Sequence, residues 1–300
     1  MSPVKLSAKE GVLNFLNKYD CFLFDCDGVL WLGDQLLPKV IETLNFLRSQ
    51  GKKLIFVTNN STKSRVQYVE KFKKFGLNVN KEEIFGSSYA SCIYLEKFLN
   101  FDKSKKVWVF GESGIEQELK EIGIESIGGT DPALNVEFSN DNHFLKPDPT
   151  VGAVIVGLTT HINYLKMAAT LQYLLNLEIP FIATNIDSTY PSNGMILPGA
   201  GSIIQSVATC SHRTPIACGK PNQNMLDVIV AAHGINRERT CMVGDRLNTD
   251  MIFGLDGGLG TLLVLTGIES EENVFKQEKD KQPLYYADKL GDIYEFLNEA

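Results

Sequence analysis

The sequence predicts an α/β protein built on a parallel sheet, and three observations carry that prediction. Short apolar runs of strand length alternate with helical patterns along most of the chain. Polar and charged residues follow directly on several of those runs, where parallel sheets place their ligand sites. The chain is 300 residues long and 44% hydrophobic, enough for a large buried core in about one to two domains.

Taken in order, Cys21 to Asp25 reads as a buried strand. A helix from Pro38 to Gln50 follows, with Pro near its start and Gly51 just past its end. Lys53 to Val57 is the next strand. The helix Ser87 to Leu99 closes this first stretch, and Asp102-Lys103-Ser104-Lys105-Lys106 reads as a polar linker. Further strands are expected at Val107 to Phe110, Ala153 to Gly157, Phe181 to Thr184, Pro215 to Cys218, Thr240 to Gly244 and Thr261 to Leu265. Long loops are expected at Gly128 to Pro132 and Asn142 to Thr150.

Composition narrows the function classes. A formal charge of −7 argues against an extended nucleic-acid surface, though not against a local pocket for a small anion. No apolar stretch approaches the ~20 residues that span a bilayer. Met1 to Asp20 carries Lys5, Lys9, Glu10 and Lys18 among its apolar residues and does not resemble a signal peptide. Six cysteines without a Cys-x-x-Cys pair argue for reduced thiols, and a cytoplasmic location is expected. The four histidines show no metal-ligand spacing.

The most informative residues are Asp25 and Asp27, one residue apart where an apolar run breaks into Gly28. Burying a carboxylate costs several kcal/mol unless a cation or hydrogen bonds compensate. A divalent metal is the economical partner. Other strand ends deliver Thr58-Asn59-Asn60-Ser61, Gly219-Lys220-Pro221 and Gly244-Asp245-Arg246. Carboxylates, a hydroxyl, amides and a lysine are the groups that phosphate chemistry needs, because a carboxylate can approach a phosphate ester only where cations offset the repulsion. Mg²⁺ held by Asp25 and Asp245 would do that, with Lys220 as a second positive charge and Thr58 donating to phosphoryl oxygens. Plainer readings exist for each: the paired aspartates could cap a turn, Lys220 could be a solvated loop residue, Thr58 could simply end a strand, Asn59 could close an Asx-turn, and Asp250 could make a structural hydrogen bond.

Asp25-x-Asp27-Gly28, Thr58-Asn59, Lys220 and Gly244-Asp245-Arg246-x-x-Thr249-Asp250 resemble, in order, the four motifs of the haloacid dehalogenase (HAD) superfamily. The resemblance covers nearly the whole chain. It is to the branch of p-nitrophenylphosphatases, phosphoglycolate phosphatases and pyridoxal phosphatases, closest within it to the fungal p-nitrophenylphosphatases. It implies a Rossmann-like core with a parallel sheet and an inserted α/β cap domain of the C2 type. The implied activity is Mg²⁺-dependent phosphomonoester hydrolysis, with Asp25 as nucleophile and Asp27 as acid and then base. The implied metal set is Asp25, the Asp27 backbone carbonyl, Asp245 and Asp250, while Thr58, Asn59, Asn60 and Lys220 hold the phosphoryl group.

The long interval between Thr58 and Lys220 demands an inserted domain. The expected division is a core over residues 1–102 and 214–300 with the cap at 103–213. By resemblance, Asn185 to Pro191 is a substrate-specificity loop, and Tyr190 occupies its selecting position. Pyridoxal phosphatases are expected to have histidine there, so Tyr190 favours small acidic substrates such as 2-phosphoglycolate, with p-nitrophenyl phosphate as an artificial one. The partner is then a small phosphorylated metabolite, with neither nucleic acid nor membrane, and relatives suggest a homodimer through the cap. The alternatives are a phosphoserine-protein or pyridoxal 5'-phosphate phosphatase, or a phosphate-ester binding protein without activity. Cys26 reads as a small buried residue or an oxidant-sensing thiol, Trp31 as an entrance residue or one packed beneath the loop, and Lys71, Lys73 and Lys74 as an exposed helix face.

Overall fold

The computed structural model describes residues 2–192 and 195–298. It divides into two compact units, one of Met1–Thr58, Val69–Phe85 and Lys220–Ala300, the other of Asn59–Tyr68 and Gly86–Gly219.

The first unit is organised by a seven-stranded sheet in the order Val4–Lys5, Tyr285–Ala287, Gly260–Val264, Thr240–Gly244, Cys21–Phe24, Lys53–Thr58, Ile84–Gly86. The pairings from Val4–Lys5 through Lys53–Thr58 are parallel. Every residue of the Cys21–Phe24, Thr240–Gly244 and Gly260–Val264 strands is buried, which is why these strands read as continuous apolar runs. The register sets Phe24 beside Val243 on one side and Phe56 on the other, so the carboxyl ends of all three strands lie level. Asp25 and Asp245 follow their strands directly, and Thr58 is the last residue of its own.

Helix Val40–Ser49 buries Val40, Thr43, Leu44 and Leu47, an i, i+3, i+4, i+7 stripe, and ends at Gly51 with φ +71°. It starts later than its proline suggests because Lys39 adopts a left-handed conformation ahead of it. A run of aromatic rings fills the same unit: Phe22 on Phe24 at 6.1 Å, Phe24 on Phe56 at 6.0 Å, Phe56 on Phe72 at 4.7 Å and Phe72 on Trp31 at 5.0 Å between centroids. All five residues are wholly buried, so this edge of the core is rigid.

The second unit holds a five-stranded parallel sheet in the order Ile216–Ala217, Phe181–Ala183, Val151–Val156, Lys106–Phe110, Ser126–Gly128. Ile216–Ala217, within the strand read from Pro215 to Cys218, pairs here with Phe181–Ala183. Trp108, Phe110, Val154, Tyr173 and Phe181 form the centre of one of its apolar clusters. The segment expected as a helix from Ser87 to Leu99 is α-helical over Ser87–Ile93 and widens into a π-helical turn over Tyr94–Phe98. Two short hairpins escaped the sequence reading, Trp31–Leu32 with Gln35–Leu36 in the first unit and Thr189–Ser192 with Met195–Pro198 in the second. Strands of two to four residues carry too little periodicity to separate from loop.

Candidate active site

Asp25, Lys220, Asp245 and Asp250 converge at the carboxyl ends of the first sheet. The Lys220 ammonium donates to Asp25 Oδ1 at 2.7 Å, to Asp250 Oδ1 at 2.7 Å and to the Val57 carbonyl at 3.0 Å. Its three N–H bonds thus have three acceptors, and its side chain is 2% exposed. It is no solvated loop lysine. Burial alone would lower its pKa, but the negative charges of Asp25 and Asp250 outweigh burial and raise it, so it stays charged.

Asp250 sits on the π-helical turn Leu247–Met251 and has both oxygens engaged. Oδ1 takes the lysine, while Oδ2 accepts from the backbone N–H groups of Asp245 and Arg246, both at 3.2 Å. The structural hydrogen bond and the site role are therefore the same arrangement: Asp250 anchors the lysine and the backbone that carries Asp245.

Asp245 is buried, and its Oδ1 has no hydrogen-bond partner among the described residues. Burial, with the Asp25 and Asp250 charges beside it, pushes its carboxyl well above the usual range. Burial likewise raises Asp25 to about 7 despite the opposing charge of Lys220, with Asp250 adding to the rise. Three carboxylates whose oxygens can lie within 4.8 Å of one another therefore share one ammonium. The donor set is all oxygen, it holds three carboxylates against one ammonium, and it includes an orphaned buried acceptor. Those are the terms on which a hard divalent cation binds.

Two glycines shape the space around Asp245. Gly28 has φ +92°, and a Cβ there would run into Asp245 Oδ2. A Cβ at Gly267 would strike the same oxygen. The Thr266 hydroxyl donates to the Gly28 carbonyl, tying the two loops together. Gly28 was legible from the motif, whereas Thr266 and Gly267 were not, because a threonine–glycine pair in a loop acquires meaning only once Asp245 lies against it.

The remaining predicted residues are placed as follows. Asp27 is exposed, and its Oδ1 accepts from the Trp31 indole N–H at 2.8 Å, with Lys71 Nζ at 3.7 Å. Trp31 is packed beneath the loop, wholly buried. Lys71 differs from the exposed face expected of it: its ammonium lies 4.2 Å from the Trp31 ring centroid, because the helix presents that residue to the core edge. Thr58 is buried at its strand end. In the second unit, Asn59 donates through its amide to Asp187 at 2.8 Å, and its carbonyl accepts from Ser87 and from Asn185. Asn60 Oδ1 accepts from the backbone and hydroxyl of Thr62, an Asx-turn. Tyr190 is half-buried on the Thr189–Ser192 strand, opposite Leu197. Cys26 is wholly buried, and burial drives its thiol well above the ordinary value, so the small buried reading applies.

Comparison with known proteins agrees with this geometry. Residues 22–125 match the haloacid dehalogenase-like hydrolase family and residues 217–293 a HAD-hydrolase-like family. The chain is 45% identical over 293 residues to 4-nitrophenylphosphatase of Schizosaccharomyces pombe, covering 97% of this chain and 98% of that protein. It is 44% identical to the chloroplastic phosphoglycolate phosphatase 1A of Arabidopsis thaliana, covering 95% and 79% respectively. The crystal structure of the Thermotoga maritima 4-nitrophenylphosphatase superposes with a TM-score of 0.79 at 27% identity, covering 94% of this chain and 99% of that one. The chain belongs to the haloacid dehalogenase-like hydrolases and is an enzyme of their phosphoric monoester hydrolase branch.

Proposed function

We propose that the enzyme hydrolyses small acidic phosphate monoesters of the 2-phosphoglycolate type, with Mg²⁺ as its metal and p-nitrophenyl phosphate as an artificial substrate. The observation that carries this reading is Lys220 held between Asp25 and Asp250 beside the unpartnered Oδ1 of Asp245. Asp25 and Asp245 would hold the cation together with the Asp27 backbone carbonyl, while Asp250, both oxygens engaged, supports them from behind. When bound, the cation offsets phosphoryl charge and so permits an anionic nucleophile to approach.

Asp25 attacks phosphorus, and the bond from phosphorus to the leaving oxygen breaks as Asp27 gives that oxygen its proton. Water then attacks the aspartyl-phosphate while Asp27 takes a proton from it, which releases phosphate and restores Asp25. Lys220 neutralises charge throughout without moving, because Asp250 and the Val57 carbonyl fix it. Thr58 donates to the phosphoryl oxygens. The second unit acts as the cap and selects the leaving group through the loop bearing Tyr190. The exposed Met195 and Ile196 on its hairpin give a cap-mediated homodimer an apolar face.

A panel of phosphorylated metabolites, assayed with Mg²⁺ and with chelator, tests the reading. Turnover should require the cation, and 2-phosphoglycolate should exceed pyridoxal 5'-phosphate and a phosphoserine peptide. A preference for either of the latter would overturn the substrate assignment.

A further inference from the structure

Neither Trp31 nor Lys71 has a role in the reaction proposed above, yet both reach the carboxylate proposed as acid and base. Trp31 Nε1 donates to Asp27 Oδ1 at 2.8 Å, and Lys71 Nζ lies 3.7 Å from the same oxygen. The two also hold each other, the ammonium 4.2 Å from the centre of the indole. The indole itself cannot shift, since it is wholly buried, edge-on to Phe72 at 5.0 Å and stacked on Phe75 at 5.3 Å. Backbone bonds close the loop around it: Gly28 N–H donates to the Trp31 carbonyl at 2.8 Å, and Trp31 N–H to the Cys26 carbonyl at 3.3 Å.

Indole N–H and ammonium groups donate and never accept. Both converge on Oδ1, so that oxygen is committed to accepting, and the other, Oδ2, is left to exchange a proton with substrate or water. We infer that Trp31 and Lys71 are positioning residues that clamp Asp27 by Oδ1, fixing the half-exposed carboxyl so that Oδ2 serves the leaving group. This inference rests on the acid–base reading of Asp27. The proton passes from Oδ2 to the leaving oxygen as its bond to phosphorus breaks, and the attacking water returns one to Oδ2. Rigidity matters because a proton donor contributes only when held within hydrogen-bond reach of the departing oxygen.

The test compares phenyl phosphate with p-nitrophenyl phosphate, which differ by one para-nitro group and so in how much the leaving oxygen needs a proton. Phenol holds its proton about as tightly as tyrosine, near pKa about 10, whereas nitrophenolate leaves readily unprotonated. Trp31→Phe keeps a ring and deletes the N–H; Lys71→Met keeps the stem and deletes the charge. In rapid-quench single turnovers with Mg²⁺, each variant should release phenol at least about tenfold more slowly than wild type, and nitrophenolate within about threefold of it. With substrate in excess, nitrophenyl phosphate should give a burst followed by slow steady turnover, since the water step still needs Asp27. Lys71→Arg should restore phenol release toward wild type. Equal slowing of both substrates in both variants would reveal a merely structural role, and unchanged phenol release in both would exclude the clamp. Asp27→Asn run alongside separates the two levels. If it too releases phenol at the wild-type rate, the acid–base reading fails and the clamp with it; if it alone is slow, only the clamp fails.

Discussion

Lys220 and Asp250 form an ion pair in which both side chains are almost wholly withdrawn from water, 2% and 1% exposed, with Nζ and Oδ1 2.7 Å apart. Such a pair is costly to assemble and more costly to break, because removing one partner strands a buried charge. Lys220→Met should therefore lower unfolding free energy by about 3–5 kcal/mol in urea titrations and abolish turnover. Asp250→Asn should cost less, about 1–3 kcal/mol, since an amide can keep only some of the bonds the carboxylate accepts. Wild-type stability in Lys220→Met would show that the pair does not hold the site.

The raised Asp25 and Asp245 carboxyls set a pH dependence of known sign. The folded protein without metal holds the Asp25 proton up to about 7, while the unfolded chain releases it in the ordinary carboxylate range. Between those values the folded state binds more protons, so stability falls as pH rises, and Asp25 contributes no further change above its folded value. A cation must displace the same protons. Adding Mg²⁺ should thus raise the melting temperature more at pH 7.5 than at pH 5, and Asp25→Asn should flatten the decline of the metal-free protein. Equal metal-induced shifts at both pH values would contradict this.

Gly267→Ala offers a cleaner probe of Asp245 than any change at the aspartate. Its new Cβ collides with Asp245 Oδ2, as it would at Gly28, but Gly267 is not among the positive-φ glycines. Gly28→Ala should weaken both folding and Mg²⁺ binding, whereas Gly267→Ala should weaken Mg²⁺ binding by at least about tenfold with the smaller loss of stability. Calorimetric titration of the metal, paired with urea unfolding, distinguishes the two. Unaltered affinity in Gly267→Ala would remove Asp245 from the metal set.

In the second unit the Asn59 amide holds Asp187, three positions ahead of Tyr190. Asp187→Ala removes that bond and loosens the loop ahead of Tyr190. The ranking of 2-phosphoglycolate against other phosphate esters should then change more than the rate on p-nitrophenyl phosphate. Uniform slowing across the panel would place the defect elsewhere.

What the sequence disclosed tracks how local each signal is. Asp25, Thr58 and Asp245 stand at the ends of continuous apolar runs, and buried parallel strands must be such runs, so both the sheet and the polar groups at its carboxyl ends were legible. Lys220 was legible only through order among motifs, since its surroundings became buried by folding. Trp31 lies on a two-residue strand and reaches Asp27 only four residues back, while Lys71 sits among lysines that look solvated and arrives from a separate helix, a tertiary event without a local trace. The Tyr285–Ala287 strand was missed for a related reason: three residues give no period to read.

The register of Cys21–Phe24 against Thr240–Gly244 has a consequence for how the enzyme comes into being. Asp25 is made early, but the lysine that neutralises it lies 195 residues downstream, and the neighbouring strand that carries Asp245 later still. A ribosome must pass Thr240–Gly244 before the central strand gains its partner on that side. Until then the nascent chain carries Asp25 without its counter-charge, so the buried cluster of Asp25, Lys220, Asp245 and Asp250 assembles in one step rather than growing in by degrees.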